Sequence, residues 1–263
     1  MYDKMKTTNC LNMQYMILKD LFFDNKIENR YYILCTSNAI DNYYWNTAYL
    51  KIKANENILL EIENYFKVKN KKGSIYLGKN DKYYKENKEF LLDNNYILEN
   101  EDIYMYLENV KTYKLDLNIK IVENENEYND FMEVLASAHN DIIENPDENI
   151  YANTINENYY NIIKNTMSSQ KHMNIIAYDG KIPVSVGTFS YINKIGEISN
   201  VGTKQGYWNK GYGTQLITFI INKFQDLKGK CLILNTEYKS KNQHFYEKLG
   251  FKEMYIMEQY TKN

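Results

Sequence analysis

Cysteine is scarce in this chain of 263 residues, and the three that occur, Cys10, Cys35 and Cys231, lie far apart. An odd number of widely separated cysteines fits neither a disulfide framework nor a zinc site and is typical of a reducing compartment. No apolar run approaches membrane-spanning length, and the first residues contain no apolar signal-peptide core. We therefore expect a soluble cytoplasmic protein without a metal site.

An excess of charge of one sign is also lacking. The net charge is −2, and Arg30 is the only arginine, so almost all the cations are lysines. Binding to nucleic acid or to an anionic membrane needs concentrated positive charge, which this composition does not offer. The sequence therefore predicts neither kind of partner, and it leaves the oligomeric state open. The hydrophobic fraction of 44% is sufficient for a folded core.

Glycine is almost absent from the first half of the chain. Only Gly73 and Gly78 precede residue 118, whereas the other nine of the 11 glycines follow it. Because the length suits two domains of ordinary size, we predict an N-terminal α/β domain at 1–117 and a second domain at 118–263. In the first domain the apolar pattern predicts helices at 11–23, 55–66 and 82–92 and strands at 31–36, 45–52, 74–77 and 104–107.

The second half has a different pattern, with glycine-bearing turns between its elements. Asp179-Gly180 between two apolar runs predicts a hairpin. Predicted strands cover 119–122, 173–178, 183–191, 195–203, 231–234 and residues from 251 onwards, and predicted helices cover 125–138, 156–167, 214–224 and 239–249.

The stretch 195–224 combines a strand, a glycine-bearing turn at 206–213 and an apolar helix. Glycines allow the backbone to approach a ligand closely, and the unpaired N–H groups of a helix's first turn point at it beside the positive end of the dipole. This arrangement predicts a site for phosphate groups.

Two motifs in this half resemble those of the GNAT superfamily of acyl-CoA-dependent N-acyltransferases. Trp208 to Gly213 (WNKGYG) matches the family's (Arg/Gln)-x-x-Gly-x-Gly loop, with a strand before it and a helix after it. Phe245 to Phe251 (FYEKLGF) matches the family's Tyr-x-x-x-Gly-Phe element. The resemblance covers roughly residues 118–263 and implies an α/β (α+β) fold, a mixed and mostly antiparallel sheet flanked by helices.

The resemblance also implies acetyl-CoA as cofactor. Val201 and Thr203 would offer backbone groups to the pantetheine arm, and Asn209, Gly211, Gly213 and Thr214 would present N–H groups to the pyrophosphate. Lys210 would add a point charge, and Trp208 replaces the family's Arg or Gln. The full set of expected cofactor-binding residues is Val201, Gly202, Thr203, Trp208, Asn209, Lys210, Gly211, Tyr212, Gly213, Thr214 and Asn242.

Two residues are expected to carry the chemistry of an N-acetyltransferase that acts on a primary amine. Tyr246 matches the tyrosine that protonates the departing thiolate, and a phenol with an ordinary pKa of about 10 has that proton available at neutral pH. Glu197, on the strand before the glycine turn, is the candidate base, because an alkylammonium must lose a proton before its nitrogen can attack. As an alternative, Glu197 is a solvated or salt-bridged strand residue.

Other interpretations stay open. The domain is either a small-molecule acetyltransferase, a protein or peptide acetyltransferase, or a non-catalytic acyl-CoA-binding module. Trp208 and Tyr212 either pack or cover the ligand, and His139 and His244 are expected to be structural. Acceptor-binding residues are expected around 138–160, where no motif can be read.

A weak internal similarity links the two halves: it is either a chance match in a biased composition or a repeat, which would make the first domain a degenerate copy of the second. Phe90 to Tyr96 parallels Phe245 to Phe251, with Asn95 in the place of Gly250. Asn is the usual substitute for Gly at a left-handed helix C-cap, so the backbone shape can be retained. Because this half has no Gly-x-Gly turn, we predict that it binds no CoA and instead walls the acceptor site or supports the catalytic half.

Overall fold

The fold is described from a computed structural model, which covers residues 7–19, 21–108, 110, 114–140, 157–167 and 169–262. Its elements, in chain order, are α1 (Thr7–Leu18), β1 (Asn25–Glu28), β2 (Tyr32–Thr36), β3 (Thr47–Leu50), α2 (Glu56–Val68), β4 (Ser74–Gly78), α3 (Tyr84–Asp93), β5 (Tyr96–Leu107), β6 (Asn118–Ile121), α4 (Glu125–Asn140), α5 (Glu157–Asn165), β7 (His172–Asp179), β8 (Ile182–Ile192), β9 (Ile195–Thr203), α6 (Tyr212–Asp226), β10 (Cys231–Glu237), α7 (Lys241–Lys248) and β11 (Phe251–Lys262). Within the described part of the chain, no helix combines the length and apolarity needed to cross a membrane.

The chain forms two compact units. The central unit comprises residues 107–234, and the split unit comprises residues 1–106 together with 235–263. This division differs from the predicted domains 1–117 and 118–263 mainly at the C-terminus. The physical reason is that β11 pairs with β4, from Met257 opposite Gly78 to Thr261 opposite Ser74, so the last strand completes the sheet of the split unit.

Strands in the split unit are ordered β1-β2-β3-β4-β11-β5. Neighbours β3 and β4 run parallel, joined through α2, whereas β1–β2, β2–β3 and β4–β11 are antiparallel. Helix α2 follows a 3.6-residue period and buries one face, made of Ile58, Leu59, Ile62 and Phe66. This face packs in a core with Leu34, Ile75 and Tyr260.

A buried carboxylate ties β11 to α3 inside the split unit. Glu258 is almost fully buried and accepts hydrogen bonds from Tyr84 at 2.7 Å, from Lys88 at 3.1 Å and from Tyr260. Burial by itself would raise the pKa of Glu258, but these hydrogen bonds outweigh it and hold the pKa below its ordinary value. The negative charge is therefore compensated where it is buried.

The predicted repeat is visible in the backbone. Helix α3 is followed by Asn95 with φ 65° and then β5, and α7 is followed by Gly250 with φ 100° and then β11. Asn95 and Gly250 thus have the same left-handed backbone conformation, as the Asn-for-Gly substitution predicts.

The central unit orders its strands β10-β9-β8-β7-β6. Strands β6 to β9 form an antiparallel meander, and β10 runs parallel to β9 after the crossover through α6. Together with the pairing in the split unit, this confirms the predicted fold class, mixed and mostly antiparallel sheets flanked by helices.

Helices cover both faces of this meander. On one face a Cβ at Gly187 would lie 3.2 Å from Leu216 of α6. On the other, a Cβ at Gly202 would lie 2.6 Å from the Cβ of Ala138 in α4. Side chains alternate between the two faces along a strand. Because Gly187 of β8 faces α6, the opposite face, toward α4, holds Val186, Thr188 and Ser190.

Candidate active site

A β-bulge interrupts β9 next to the glycine turn. Val186 lies opposite Gly202 and Thr188 lies opposite Ser199, so Gly187 alone faces two residues of β9, Asn200 and Val201. Asn200 has a left-handed backbone, with φ 53°. A bulge leaves its extra residue out of the hydrogen-bond ladder. Backbone groups in the middle of the sheet are thereby available to a ligand.

A chain of buried and half-buried polar side chains holds this bulge. Asn200 Nδ2 donates to Thr188 Oγ1 at 3.0 Å, and Asn200 Oδ1 accepts from the hydroxyl of Tyr159. Thr188 in turn donates to Asn174 Oδ1 at 2.9 Å, and Asn174 Nδ2 donates to Thr166 Oγ1 at 2.8 Å. Sequence reasoning missed these residues, because asparagine is so common in this chain that no single one is a signal.

The glycine turn is built from left-handed residues. Gly206, Asn209 and Gly211 have φ values of 79°, 61° and 81°. A Cβ at Gly206 or Gly211 would meet nothing within 4 Å, so glycine is needed for its conformation and not for space.

The turn leads directly into the exposed end of a helix. Gly211 is the N-cap of α6 and provides no side-chain hydrogen bond to its first turn. The N–H groups of that turn, to which Gly213 and Thr214 belong, have no partner within the helix.

Trp208 folds back over the end of β9. Its indole Nε1 donates to the carbonyl oxygen of Thr203 at 2.7 Å, while 49% of the residue stays exposed. The neighbouring Lys210 places its Nζ 4.8 Å from the centre of the Tyr207 ring. Tyr212, in the first turn of α6, donates from its hydroxyl to Asp179, the last residue of β7.

Glu197 is a buried strand residue with 2% exposure, so its interpretation as a solvated side chain is wrong. It lies opposite Ser190 on β8 and opposite Ile233 on β10. Because Ser190 faces the α4 side of the sheet, Glu197 faces the same side.

The remaining predicted site residues lie on α7, in the split unit. Tyr246 is buried, with its ring 5.9 Å from that of Phe251 in an edge-to-face contact. Burial raises the pKa of Tyr246 above its ordinary value, so the phenol keeps its proton throughout the neutral range. Asn242 on the same helix is exposed.

The two histidines outside the candidate site behave differently. Burial lowers the pKa of His139 at the end of α4, and His244 on α7 is exposed beside Glu247. Of the predicted acceptor region 138–160, residues 141–156 lie outside the described residues.

Comparison with known proteins finds one family whose model matches part of this chain. Residues 133–251 match the acetyltransferase (GNAT) family, and a search of the curated proteins finds no match. The matched residues run from within α4 to Phe251, the first residue of β11. This family transfers acyl groups from acyl-CoA.

Solved structures with the same fold cover nearly the whole chain. A GCN5-related N-acetyltransferase from Kribbella flavida has a TM-score of 0.69 at 11% identity, over 97% of this chain and 94% of that one. A functionally unknown conserved protein from Staphylococcus epidermidis has a TM-score of 0.67 at 19% identity, over 95% and 98%. A GCN5-related N-acetyltransferase from Sphaerobacter thermophilus has a TM-score of 0.64 at 9% identity, over 97% and 85%. At these identities the likeness shows the fold alone.

The central unit fits an acyl-CoA. The bulge at Asn200 and Val201 frees backbone groups for an extended chain lying along β9. The glycine N-cap of α6 leaves the first-turn N–H groups for phosphate oxygens.

Proposed function

We propose that this protein is an N-acetyltransferase that uses acetyl-CoA to acetylate the primary amine of a small molecule. One observation carries the proposal: a bulged strand ends in a left-handed glycine turn whose helix has no side-chain cap. An anionic ligand with an extended arm matches this pair of features. Widely separated cysteines and the absence of a basic excess favour a cytoplasmic protein without a nucleic-acid partner.

Each part of the cofactor has candidate contacts in the central unit. The backbone of Val201 to Thr203 would hold the pantetheine arm, with Thr203's carbonyl already accepting from Trp208. The N–H groups of Asn209, Gly211, Gly213 and Thr214 would hold the pyrophosphate. The contacts proposed for Gly202, Lys210 and Tyr212 belong to the same turn and strand end, and Asn242 would contribute from α7.

The chain's own residues would then divide the chemistry among them, with acetyl-CoA supplying an activated thioester. Glu197 would accept a proton from the acceptor ammonium, directly or through water, so that the neutral amine can attack. The N–H of Val201 at the bulge would donate to the carbonyl oxygen, where negative charge develops. Tyr246, which its raised pKa keeps protonated, would donate a proton to the departing thiolate.

The N-terminal part of the chain, residues 1–117, is proposed to bind no CoA. Its β3–α2–β4 crossover has the same strand–helix–strand order as β9–α6–β10. However, the N-cap of α2 is Asn55, whose side chain accepts from the N–H of Ile58 at 3.1 Å. A helix end that is already capped has one N–H fewer for a phosphate group.

The test measures acetyl transfer to a panel of small primary amines and, in parallel, to lysine-containing peptides. Wild type is compared with Glu197→Gln and Tyr246→Phe, and acetyl-CoA binding is measured by calorimetry for each. We expect transfer to a small amine, with both variants losing turnover by about 10²-fold or more while they retain binding. Tight binding without transfer to any acceptor would instead favour the binding module, and transfer to peptides alone would favour a protein acetyltransferase.

A further inference from the structure

Three polar side chains form a row across the central unit's strands. His172 on β7 lies opposite Ser190 on β8, and Ser190 lies opposite Glu197 on β9. Directly opposed residues project from the same face of a sheet, with Cβ atoms about 4.5–5.5 Å apart. The row therefore ends at the residue proposed as the base.

The row is buried, and a hydrogen bond joins its first two members. His172 is 5% exposed, and Ser190 and Glu197 are buried as deeply or more so. His172 Nδ1 lies 2.8 Å from Ser190 Oγ. A serine hydroxyl can accept one hydrogen bond and donate another, so Ser190 is able to link the imidazole to the carboxylate beside it.

We propose that His172 is a positioning residue of the acetyl-transfer site, which acts through Ser190 to hold Glu197 ionised and oriented. This inference rests on the proposed function, because it assumes that Glu197 is the base. In this arrangement His172 Nδ1–H would donate to Ser190 Oγ, and the Ser190 hydroxyl would donate to a Glu197 carboxylate oxygen. Neither donor gives up its proton, and the proton that Glu197 gains comes from the acceptor ammonium.

The physical argument is the cost of a buried charge. A carboxylate removed from water has its pKa raised unless donors compensate it. A base with its pKa raised far above its ordinary value would be protonated, and so inactive, over much of the neutral range. A hydroxyl whose oxygen already accepts a hydrogen bond is a stronger donor. Ser190 backed by His172 thus favours the ionised form of Glu197.

Among the described residues of the central unit, the strand positions next to the row are uncharged. On β10 the residue opposite Glu197 is the apolar Ile233. The next row on the same face pairs the uncharged Thr188 with Asn174. From α5, Tyr159 is hydrogen-bonded to Asn200, and from α4 burial lowers the pKa of His139.

The kinetic test is the pH profile of kcat/KM for Ser190→Ala and His172→Leu. Loss of either donor should move the acidic limb of the profile upward by about one pH unit. His172→Asn, whose amide nitrogen stands near the place of Nδ1, should restore most of the wild-type profile. The double variant should be no worse than either single variant, because both changes break the same chain.

Two controls separate this role from a structural one. His244→Gln removes an exposed histidine and should leave the profile unchanged. Thermal melting and acetyl-CoA binding show whether each variant is folded; if His172→Leu does not fold, Ser190→Ala and His172→Asn carry the test. A melting temperature that falls without a shift in the acidic limb would overturn the inference.

A second readout does not depend on turnover. The chain has only three histidines, so their imidazole ¹⁵N signals can be assigned with single variants. We expect the His172 signals to respond to Glu197→Gln in the wild-type background and to lose that response in Ser190→Ala. If the protein is active and its pH profile depends on Glu197, but the His172 signals do not respond in this way, the role of His172 is refuted and the role of Glu197 is not. If Glu197→Gln leaves turnover unchanged, the proposed base itself is wrong.

Discussion

Asn200 and Thr188 are linked across β9 and β8 by a hydrogen bond of 3.0 Å, at the one place where β9 departs from regular strand geometry. The left-handed backbone of Asn200 and its side-chain contacts favour the same conformation. Asparagine tolerates φ near 53° better than most residues, and Thr188 fixes its amide. The bulge is thus specified by side chains of the sheet as well as by the turn that follows.

Replacing Asn200 tests this arrangement. Asn200→Ala loses both the conformational tolerance and the hydrogen bonds, and we expect a loss of about 2–3 kcal/mol in the free energy of unfolding. Asn200→Gly keeps the backbone conformation but not the hydrogen bonds, so its loss should be smaller. Urea denaturation measures both values.

The same variants separate stability from function. If the bulge positions the N–H of Val201, Asn200→Ala should lower kcat for acetyl transfer more than it weakens acetyl-CoA binding. Thr188→Val, which keeps the shape but removes the hydroxyl, should have an effect of the same kind. Equal losses of stability in Asn200→Gly and Asn200→Ala would contradict the conformational part of the argument.

The sequence predicted the glycine turn because its requirement is local. Left-handed residues such as Gly211 and the helix that begins there depend on neighbouring residues only, so a short motif contains the information. The same reasoning correctly predicted a left-handed Asn95 in the split unit. Motif-based prediction therefore worked at Gly211 and Asn95, where neighbouring residues alone set the backbone conformation.

The pairing of strands could not be predicted in the same way. The apolar pattern places the last strand in the C-terminal domain, yet β11 pairs with β4, about 180 residues earlier in the sequence. Strand β1 and the start of β5 were missed, because Asn25–Glu28 and residues 97–102 are rich in polar and charged residues. Both the bulge and the row ending at Glu197 depend on cross-strand register, which no local pattern contains.

The contact between α4 and β9 provides a second prediction. A Cβ at Gly202 would lie 2.6 Å from the Cβ of Ala138, which has no flexible end that can move away. Gly202→Ala should therefore destabilise the protein by about 1–3 kcal/mol. Thermal or urea denaturation measures the loss.

A compensating variant gives the control. Ala138→Gly removes the opposing methyl, so the double variant Ala138→Gly/Gly202→Ala should recover part of the stability lost in Gly202→Ala. If the two single losses simply add in the double variant, close packing at this contact is not the cause.

Asp102 on β5 predicts a dependence of stability on pH. Burial raises the pKa of Asp102 from 3.8 to about 7. The nearby negative charge of Glu237 adds a smaller increase, and the hydrogen bond from Asn100 opposes both effects. Between those two pH values the folded state binds a proton that the unfolded state has released. The contribution of Asp102 to the free energy of unfolding therefore falls as the pH rises through this window and is constant above it.

Asp102→Asn removes this effect. At pH 8 the substitution should raise the free energy of unfolding by up to about 4 kcal/mol, which is the equivalent of a shift of some three pKa units. At pH 4 it should change the free energy of unfolding little. Urea denaturation at the two pH values measures the difference. The exposed Asp93→Asn on α3 is the matched control and should change stability by only a few tenths of a kcal/mol at either pH. A gain for Asp102→Asn that is the same at both values would exclude the proposed ionisation.

Trp208 offers a direct report on the glycine turn. The chain has two tryptophans, so Trp45→Phe leaves Trp208 as the sole indole fluorophore. Because its half-exposed indole donates to Thr203 at the end of β9, a ligand lying along that strand end should change both its solvation and its hydrogen bond. We expect acetyl-CoA to change the emission of Trp45→Phe saturably, with a Kd that matches calorimetry on the wild type.

Trp208→Phe removes the indole donor, whereas Trp208→Arg restores the residue of the family motif and adds a charge for the phosphates. Trp208→Arg should therefore bind acetyl-CoA more tightly than Trp208→Phe, by roughly tenfold for one added charge-assisted hydrogen bond, and the difference should shrink at high salt. Equal affinities, or an emission that acetyl-CoA leaves unchanged, would place the cofactor away from this residue.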